Sequence, residues 1–257
     1  MEQIYREVFE KVSSSIVIVR QVPSGQYCIG SVLSSAPDPS TTVIVTSSPL
    51  AGQKDRVFVR FNDNTEVEAK RLASEDRFTL LEVVHYRANC SVEFSEIDVN
   101  EPSEAIILTP NSTSSLSHVP GFVIQPSCAA RDSKMKRIGG SEKYFLVSCH
   151  FRGLINFGFG RIHNQLMSAP VFDLNGKVIG LLTSQCGMYK NKVDVKIGLL
   201  ATHARKIIDD LLKESEKQKE LARRSEESKK HEKGAETKSS AGKSKKRRLM
   251  KGGKSVF

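Results

Sequence analysis

The feature that most restricts the fold of this chain is a series of runs rich in Val, Ile and Leu, each bounded by Gly, Pro, Asn or Ser. Ser15–Val19, Tyr27–Leu33, Thr42–Thr46, Val57–Phe61 and Glu66–Lys70 make up the first half of the series. Leu80–Val84, Ala105–Leu108, Gly121–Ile124, Tyr144–Val147 and Val178–Leu182 continue it. The turns between them are Pro23-Ser24-Gly25, Ala36-Pro37-Asp38-Pro39 and Asn62-Asp63-Asn64, the last reading as a hairpin. β-branched residues suit a pleated strand, and short strands at near-regular spacing predict an all-β barrel or sandwich rather than an α/β sheet.

Two segments break the pattern. Ile4, Val8 and Phe9 stand at helical spacing in residues 1–11, predicting a lead-in helix. Near the end, Thr202 is a candidate cap for a helix whose apolar stripe is Ala204, Ile207, Ile208, Leu211 and Leu212. Beyond it, Glu214 to Lys230 alternates in charge with Leu221 as its one sizeable apolar residue, so a helical extension there has no face to bury. From Gly234 the Lys/Ser/Gly composition predicts disorder, because nothing apolar offsets the entropy of ordering. The expected organisation is therefore residues 1–11, 12–212 and 213–257.

Charge separates the last of these from the rest. Lys213–Phe257 holds 16 Lys and Arg against seven Glu and no Asp, which is +9 of the chain's net +10. The preceding residues are close to neutral, so any electrostatic claim on nucleic acid belongs to the tail and not to the body. Glu2, Arg6, Glu7, Glu10 and Lys11 interrupt the N-terminal hydrophobes, and no window reaches eighteen apolar residues. Neither a secretory signal nor a membrane span is expected. Cys28, Cys90, Cys128, Cys149 and Cys186 are odd in number, widely spaced and without CxxC. Reduced thiols in an intracellular, nuclear or nucleo-cytoplasmic protein are the expectation.

Three segments, taken in order, carry a family likeness. The first is Gly30-Ser31-Val32-Leu33, a loop, and Val43-Ile44-Val45-Thr46. The second is Glu75-Asp76-Arg77-Phe78-Thr79-Leu80-Leu81, after the Phe61–Glu66 hairpin. The third runs Ser168-Ala169-Pro170-Val171-Phe172-Asp173-Leu174-Asn175-Gly176-Lys177-Val178-Ile179-Gly180-Leu181. Together they resemble the HtrA/Deg branch of the chymotrypsin-like (trypsin fold) serine proteases over roughly residues 12–212. The third block is similar to that family's Gly-Asn-Ser-Gly-Gly-Pro-Leu, turn, Asp-Gly-x-Val-Ile-Gly. The resemblance implies two six-stranded antiparallel β-barrels with a C-terminal helix and a disordered basic tail. It leaves no residues for a PDZ domain and is similar to short HtrA-like chains of plants.

The same resemblance places the catalytic residues. A serine protease needs a hydroxyl nucleophile, an imidazole base, a carboxylate to orient it and N–H donors for the oxyanion. The family His should follow Thr46 by three residues, where this chain has Pro49. The Asp should open the Phe78–Leu81 strand, where Arg77 stands. The Ser should lie three residues before Pro170, where Met167 stands, and the Gly two residues before it is Gln165. Pro49 offers no base, Arg77 stays protonated, and the Met167 thioether has no proton to lose. Gln165 tolerates unusual backbone angles less well than Gly. The implication is a protease fold without its catalysis.

A displaced triad would have to draw on Ser47 or Ser48, Asp76 and Ser168, with His150 or His163 as the base; His85, His118, His203 and His231 complete the histidines. A shift of one residue turns a side chain to the other face of a strand, which makes Asp76 and Ser168 poor substitutes. Cys149-His150 are neighbours on a strand and point to opposite faces, so they are no nucleophile–base pair. No two Cys or His share a ligand spacing on one element, and no metal or cofactor is implied.

Lys243-Ser244-Lys245-Lys246-Arg247-Arg248 is a dense basic run whose carriers of charge are Lys243, Lys245, Lys246, Arg247 and Arg248. Such a run suits a nuclear import receptor, or non-specific phosphate contact with nucleic acid; a merely solubilising tail is the bland alternative. Three functions remain open: an inactive protease-like module that binds a protein or extended peptide and carries a nuclear address, an active endopeptidase with a rearranged site, and a nucleic-acid-associated protein acting through its tail. No membrane partner is expected.

Overall fold

The computed structural model describes residues 2–33, 40–47, 56–110, 115–129, 143–149, 166–185 and 195–248. A helix, α1 (Glu2–Val12), opens the chain, with an acid in its first turn and Lys11 in its last, matching the helix dipole. Its buried residues are Val8 and Val12. Ile4 remains 40% exposed, so Val12 rather than Ile4 completes the buried stripe with Val8 at i, i+4.

The first six strands are β1 (Ile16–Val22), β2 (Tyr27–Leu33), β3 (Thr41–Ser47), β4 (Arg56–Arg60), β5 (Glu66–Ser74) and β6 (Phe78–Val84). They close into a barrel in the order β1-β2-β3-β6-β5-β4, each strand antiparallel to its neighbours. The second six are β7 (Ser103–Pro110), β8 (Leu116–Ala129), β9 (Lys143–Cys149), β10 (Pro170–Phe172), β11 (Val178–Gln185) and β12 (Val195–Leu200). They close as β10-β11-β12-β9-β8-β7. Two closed six-stranded barrels are what the resemblance implies. Closure pairs strand edges that an open sheet would leave exposed.

The sequence turns fold as their residues dictate. Asn64 adopts a left-handed φ of 67° between β4 and β5. The Asp63 carboxylate accepts from Thr65 N at 2.9 Å, and Phe61 N donates to Thr65 O at 2.9 Å. Two strands lie outside the β-branched series: β10, only three residues long, and β12, whose apolar run is interrupted by Lys196 and Gly198. Gly198 and Gly180 leave the space that the Phe145 ring fills; a Cβ on either would approach that ring to 2.3 Å.

Alternation separates two cores. Val17, Val19, Cys28, Val32, Ile44, Val59 and Leu81 fill the inside of the first barrel. The other face of the same strands, with Ile16, Ile29, Val43, Val45, Phe78 and Leu80, joins one cluster with Ile106, Leu108, Phe172, Leu181 and Leu199 of the second barrel. β3 is buried on both faces from Thr42 to Ser47 and so reads as an uninterrupted apolar run, whereas β5 has no fully buried residue. The seam between the barrels is therefore built from the outer face of β1, β2, β3 and β6.

The last helix, α2 (Ala201–Arg248), buries Ala204, Ile208 and Leu211, with Ile207 and Leu212 packed alongside. Thr202 does not cap it from outside. The helix starts one residue earlier, and the Thr202 hydroxyl donates to Asp98 Oδ1 at 2.7 Å. Residues 1–212 form one compact unit and 213–257 a second. In the second unit the backbone is helical through Gly234 as far as Arg248, beyond the point where composition predicts disorder. Its support is local: Arg224 pairs with Glu220 at 3.0 Å, and Gln218 with Glu214 at 3.3 Å, both at i, i+4. Leu221 is 65% exposed, in keeping with a stretch that has no face to bury.

Candidate functional site

The family positions fall at the seam. Thr46, near the end of β3, is buried; its hydroxyl bonds to Ile29 O at 2.9 Å and lies 3.0 Å from Cys28 Sγ. Burial pushes the Cys28 thiol up to about 11, although the hydroxyl of Thr46 acts in the opposite direction. Cys28 is thus a protonated packing group, not a nucleophile. Ser47 is buried at the strand end. Pro49 and Ser48 lie outside the described residues.

Arg77 sits in the turn that joins β5 to β6, closed by Glu75 N donating to Phe78 O at 2.9 Å. Its Nε donates to Glu75 Oε1 at 3.3 Å, and its Nη1 to the hydroxyl of Tyr144 at 3.3 Å. Tyr144 is a fully buried residue of β9, in the other barrel. Where the family pattern places a carboxylate, a guanidinium bridges the seam. Asp76 beside it is exposed.

Met167 and Ser168 occupy the turn that leads into β10. Ser168 N donates to Leu182 O at 2.7 Å, Leu182 N to Ala169 O at 2.9 Å, and Ala169 N to Leu166 O at 3.0 Å. Ser168 has φ 63°, a left-handed conformation that costs a residue with a Cβ about 1–2 kcal/mol. In the Gly-Asn-Ser-Gly-Gly-Pro pattern a Gly follows the nucleophile. Ser168 takes a backbone of the kind that Gly adopts readily. The Ser168 hydroxyl is 1% exposed in residue terms and lies 2.5 Å from Met167 O and 3.3 Å from Ile29 O. Among the described residues this buried hydroxyl donates to carbonyls and to no base.

The described histidines make other contacts. His85 is exposed with φ 62°, His118 lies against the Phe9 ring at 5.3 Å between centroids, and His203 Nδ1 is 3.2 Å from Thr202 Oγ1. Among the described residues, none of these imidazoles hydrogen-bonds to Ser47, Asp76 or Ser168. His150, His163 and Gln165 lie outside the described residues, and nothing is described of the side chains of His231, Lys243, Lys245, Lys246, Arg247 and Arg248. Cys149 is buried on β9; Cys28, Cys90, Cys128 and Cys149 are all free thiols. Among the described residues no three His, Cys, Asp or Glu side chains converge as a metal site, and no helix is long and apolar enough to cross a membrane.

Solved structures share this architecture. The inactive form of a serine-to-alanine mutant of Rv3671c from M. tuberculosis H37Rv superposes with a TM-score of 0.60 at 14% identity, over 81% of this chain and 92% of that one. An inactive form described as the Rv3671c protease gives 0.59 at 14%, over 81% and 94%. The fold is chymotrypsin-like. At this identity the likeness speaks for a protease-like scaffold and not for an activity. No family model matches the chain, and no curated protein matches it by sequence. Within the chymotrypsin-like frame, the seam holds Arg77 on one side and Met167 with Ser168 on the other.

Sequence reasoning singled out Arg77 and Met167 but not Tyr144, which is 67 residues from Arg77 along the chain. No local pattern announces such a partner. A tyrosine in an otherwise apolar run, Tyr144-Phe145-Leu146-Val147, is the one hint, since a buried phenol needs a hydrogen-bond partner.

Proposed function

We propose that this chain is a catalytically silent, degenerate member of the HtrA/Deg-like proteases, without a PDZ domain, which binds an extended peptide or protein segment and carries a nuclear-targeting basic tail. One observation supports the loss of catalysis: Ser168 takes a left-handed backbone, as suits the Gly after a nucleophile, which on this reading puts the Met167 thioether in the nucleophile's place and Arg77 in that of the orienting carboxylate. The binding half of the reading is supported by the ladder around β11. Its residues Ser184 and Gln185 pair with Ile197 and Lys196 of β12, whereas β10 pairs with β11 only between Val178 and Leu181. Among the described residues no strand pairs with the other edge of β11 beyond Leu182, and an unpaired edge accepts an added strand through main-chain hydrogen bonds.

The test uses a fluorophosphonate probe and a casein digest on the wild-type chain and on Met167→Ser. Neither protein forms an adduct or cleaves casein on this reading. An adduct on the wild-type chain supports instead an endopeptidase with a rearranged site.

The charge of Lys213–Phe257 favours a second reading, a nucleic-acid-associated protein whose tail neutralises phosphates. A salt titration of DNA and RNA binding separates the two. Nucleic-acid affinity of the full chain that falls steeply with salt and disappears for a chain ending at Leu212 supports the second. A fluorescent fusion that leaves the nucleus when Lys245, Lys246, Arg247 and Arg248 are changed to Ala supports the targeting role; unchanged localisation removes it.

A further inference from the structure

Away from the seam, the chain's one Asn-Gly pair, Asn175-Gly176, stands in the turn between β10 and β11. The turn is closed by Asp173 N donating to Lys177 O at 2.9 Å and by Gly176 N donating to Asp173 O at 3.1 Å. Asp173 Oδ1 accepts from Asn175 N at 2.9 Å and from Lys177 N at 2.8 Å. Gly176 supplies the positive φ, 81°, and is buried because the end of α1 lies over it. A Cβ there would meet Val12 Cγ1 at 3.1 Å and Lys11 Cδ at 3.2 Å. Asn175 itself is exposed.

Lys11 does more than cover the turn. Its Nζ donates to Asn175 O at 2.5 Å, and that carbonyl belongs to the peptide bond whose nitrogen is Gly176 N. A peptide nitrogen that loses its proton spreads the negative charge onto this oxygen, through the same resonance that makes the bond planar. The ammonium stabilises the anion, because a hydrogen bond strengthens when its acceptor becomes charged. The other charged groups around the turn are Asp173, Lys177 and, through Lys177, Glu93 at 2.9 Å and Glu96. Glu93 also feels the charge of Lys11. Among the described residues, Lys11 is the side chain that bonds to the Asn175 carbonyl.

We propose that Asn175 is a site of spontaneous deamidation and that Lys11 promotes it. Gly176 N gives its proton to hydroxide and attacks Asn175 Cγ. The bond from Cγ to the side-chain nitrogen breaks, and that nitrogen leaves as ammonia with a proton from water. Water then opens the cyclic imide at one of its two carbonyls, leaving aspartate or isoaspartate at position 175. Water is the one co-reactant, and nothing is oxidised or reduced. Gly suits the step because no Cβ obstructs the ring closure. Closure gives up the Gly176–Asp173 hydrogen bond, and the strengthening Lys11 bond offsets that cost. The isoaspartate route carries the main chain through the former side-chain carbon, which lengthens a turn packed against Lys11 and Val12. Ageing at Asn175 therefore loosens α1. The site lies apart from the β11 edge beyond Leu182 and does not depend on the triad positions.

The experiment ages the full chain at pH 8 and follows amide-to-acid conversion at each Asn by peptide mass spectrometry, beside Lys11→Gln and Lys11→Arg. Asn175 should convert ahead of Asn62, Asn64, Asn89 and Asn100. Lys11→Gln should slow its conversion about threefold, the size of one exposed charge interaction, and Lys11→Arg, which keeps the cation, should restore most of the rate. In urea, with α1 no longer over the turn, all three chains should convert at one rate. Amide hydrogen exchange in α1 should quicken in the converted protein. A Lys11→Gln chain that ages as fast as wild type, or faster, overturns the proposal, since Lys11 then merely braces the turn. So does a rate difference that persists in urea, which cannot come from a contact across 164 residues. Conversion of Asn62 or Asn64 ahead of Asn175 overturns the site, and unchanged exchange in α1 overturns its loosening.

Discussion

The two sides of the seam are held in different ways. On the first barrel, the β5–β6 turn is held by a side chain: Arg77 reaches Glu75 on its own turn and Tyr144 on the opposite barrel. On the second barrel, the turn at Met167–Ser168 is held by its backbone. The Ser168–Leu182 and Leu182–Ala169 hydrogen bonds accompany a left-handed φ although the residue there carries a Cβ. One side is a tie between the barrels. The other is a strained turn. Hydrogen bonds between backbone groups survive side-chain replacement, whereas a triad depends on three side chains at once.

If that contrast is right, the largest response comes from the first barrel. Arg77→Leu removes the hydrogen bond that ties Tyr144 to the β5–β6 turn, with an expected loss of about 1–2 kcal/mol in urea unfolding. Arg77→Asp, the family residue, should be worse, since it adds a carboxylate beside Glu75. A variant as stable as wild type would show that the bridge contributes nothing. Next in size is the second barrel's turn. Ser168→Ala loses the hydroxyl contact to Ile29 O but keeps the strain, while Ser168→Gly loses the contact and relieves the strain. The Gly variant should therefore be about 1 kcal/mol more stable than the Ala variant, by the same unfolding measurement. Equal stabilities would mean that the left-handed backbone is not retained in solution.

Met167→Ser is expected to shift stability by less than about 1 kcal/mol, the usual range for a substitution outside the core, and to leave the protein unreactive towards a fluorophosphonate. The smallest effect belongs to Cys28. Its thiol is raised to about 11 by burial, so at pH 8 iodoacetamide should modify exposed Cys90 and spare Cys28 in the native protein, as mass spectrometry of peptides can show. The sign for stability follows from the raised value. The contribution is complete below the thiol's ordinary value of 9.0 and is lost as pH rises from there towards about 11. Alkylation of Cys28 at pH 8 without unfolding would show that the first barrel is open at its rim.

The fold was readable where chemistry and spacing agree. Ser15–Val19, from Ile16 onward, and Thr42–Thr46 fall on β1 and β3, strands buried on both faces and rich in β-branched residues. β12 escaped because Lys196 and Gly198 interrupt its apolar run, and the reason for Gly198 is a ring from β9 that occupies its side-chain space. Thr202 looked like a cap because its type suits one; Asp98, 104 residues earlier, takes its hydroxyl instead. Arg77 and Met167 were singled out by the order of flanking residues. What Arg77 does there could not be read, since its partner is brought to it only by the docking of two barrels. The same holds for Ser168, whose type suggested a stray nucleophile and whose backbone shows a residue in the place of a glycine.

The double-sided burial of the first barrel has a consequence for the newborn chain. Once Val84 has left the ribosome the first six strands can close, yet the outer faces of Ile29, Val43, Val45 and Leu80 have no cover until the strands up to Leu200 follow. At bacterial-to-eukaryotic translation speeds that interval is on the order of ten seconds. For that time a folded half-protein displays a bare aliphatic sheet, and chaperone capture competes with clumping.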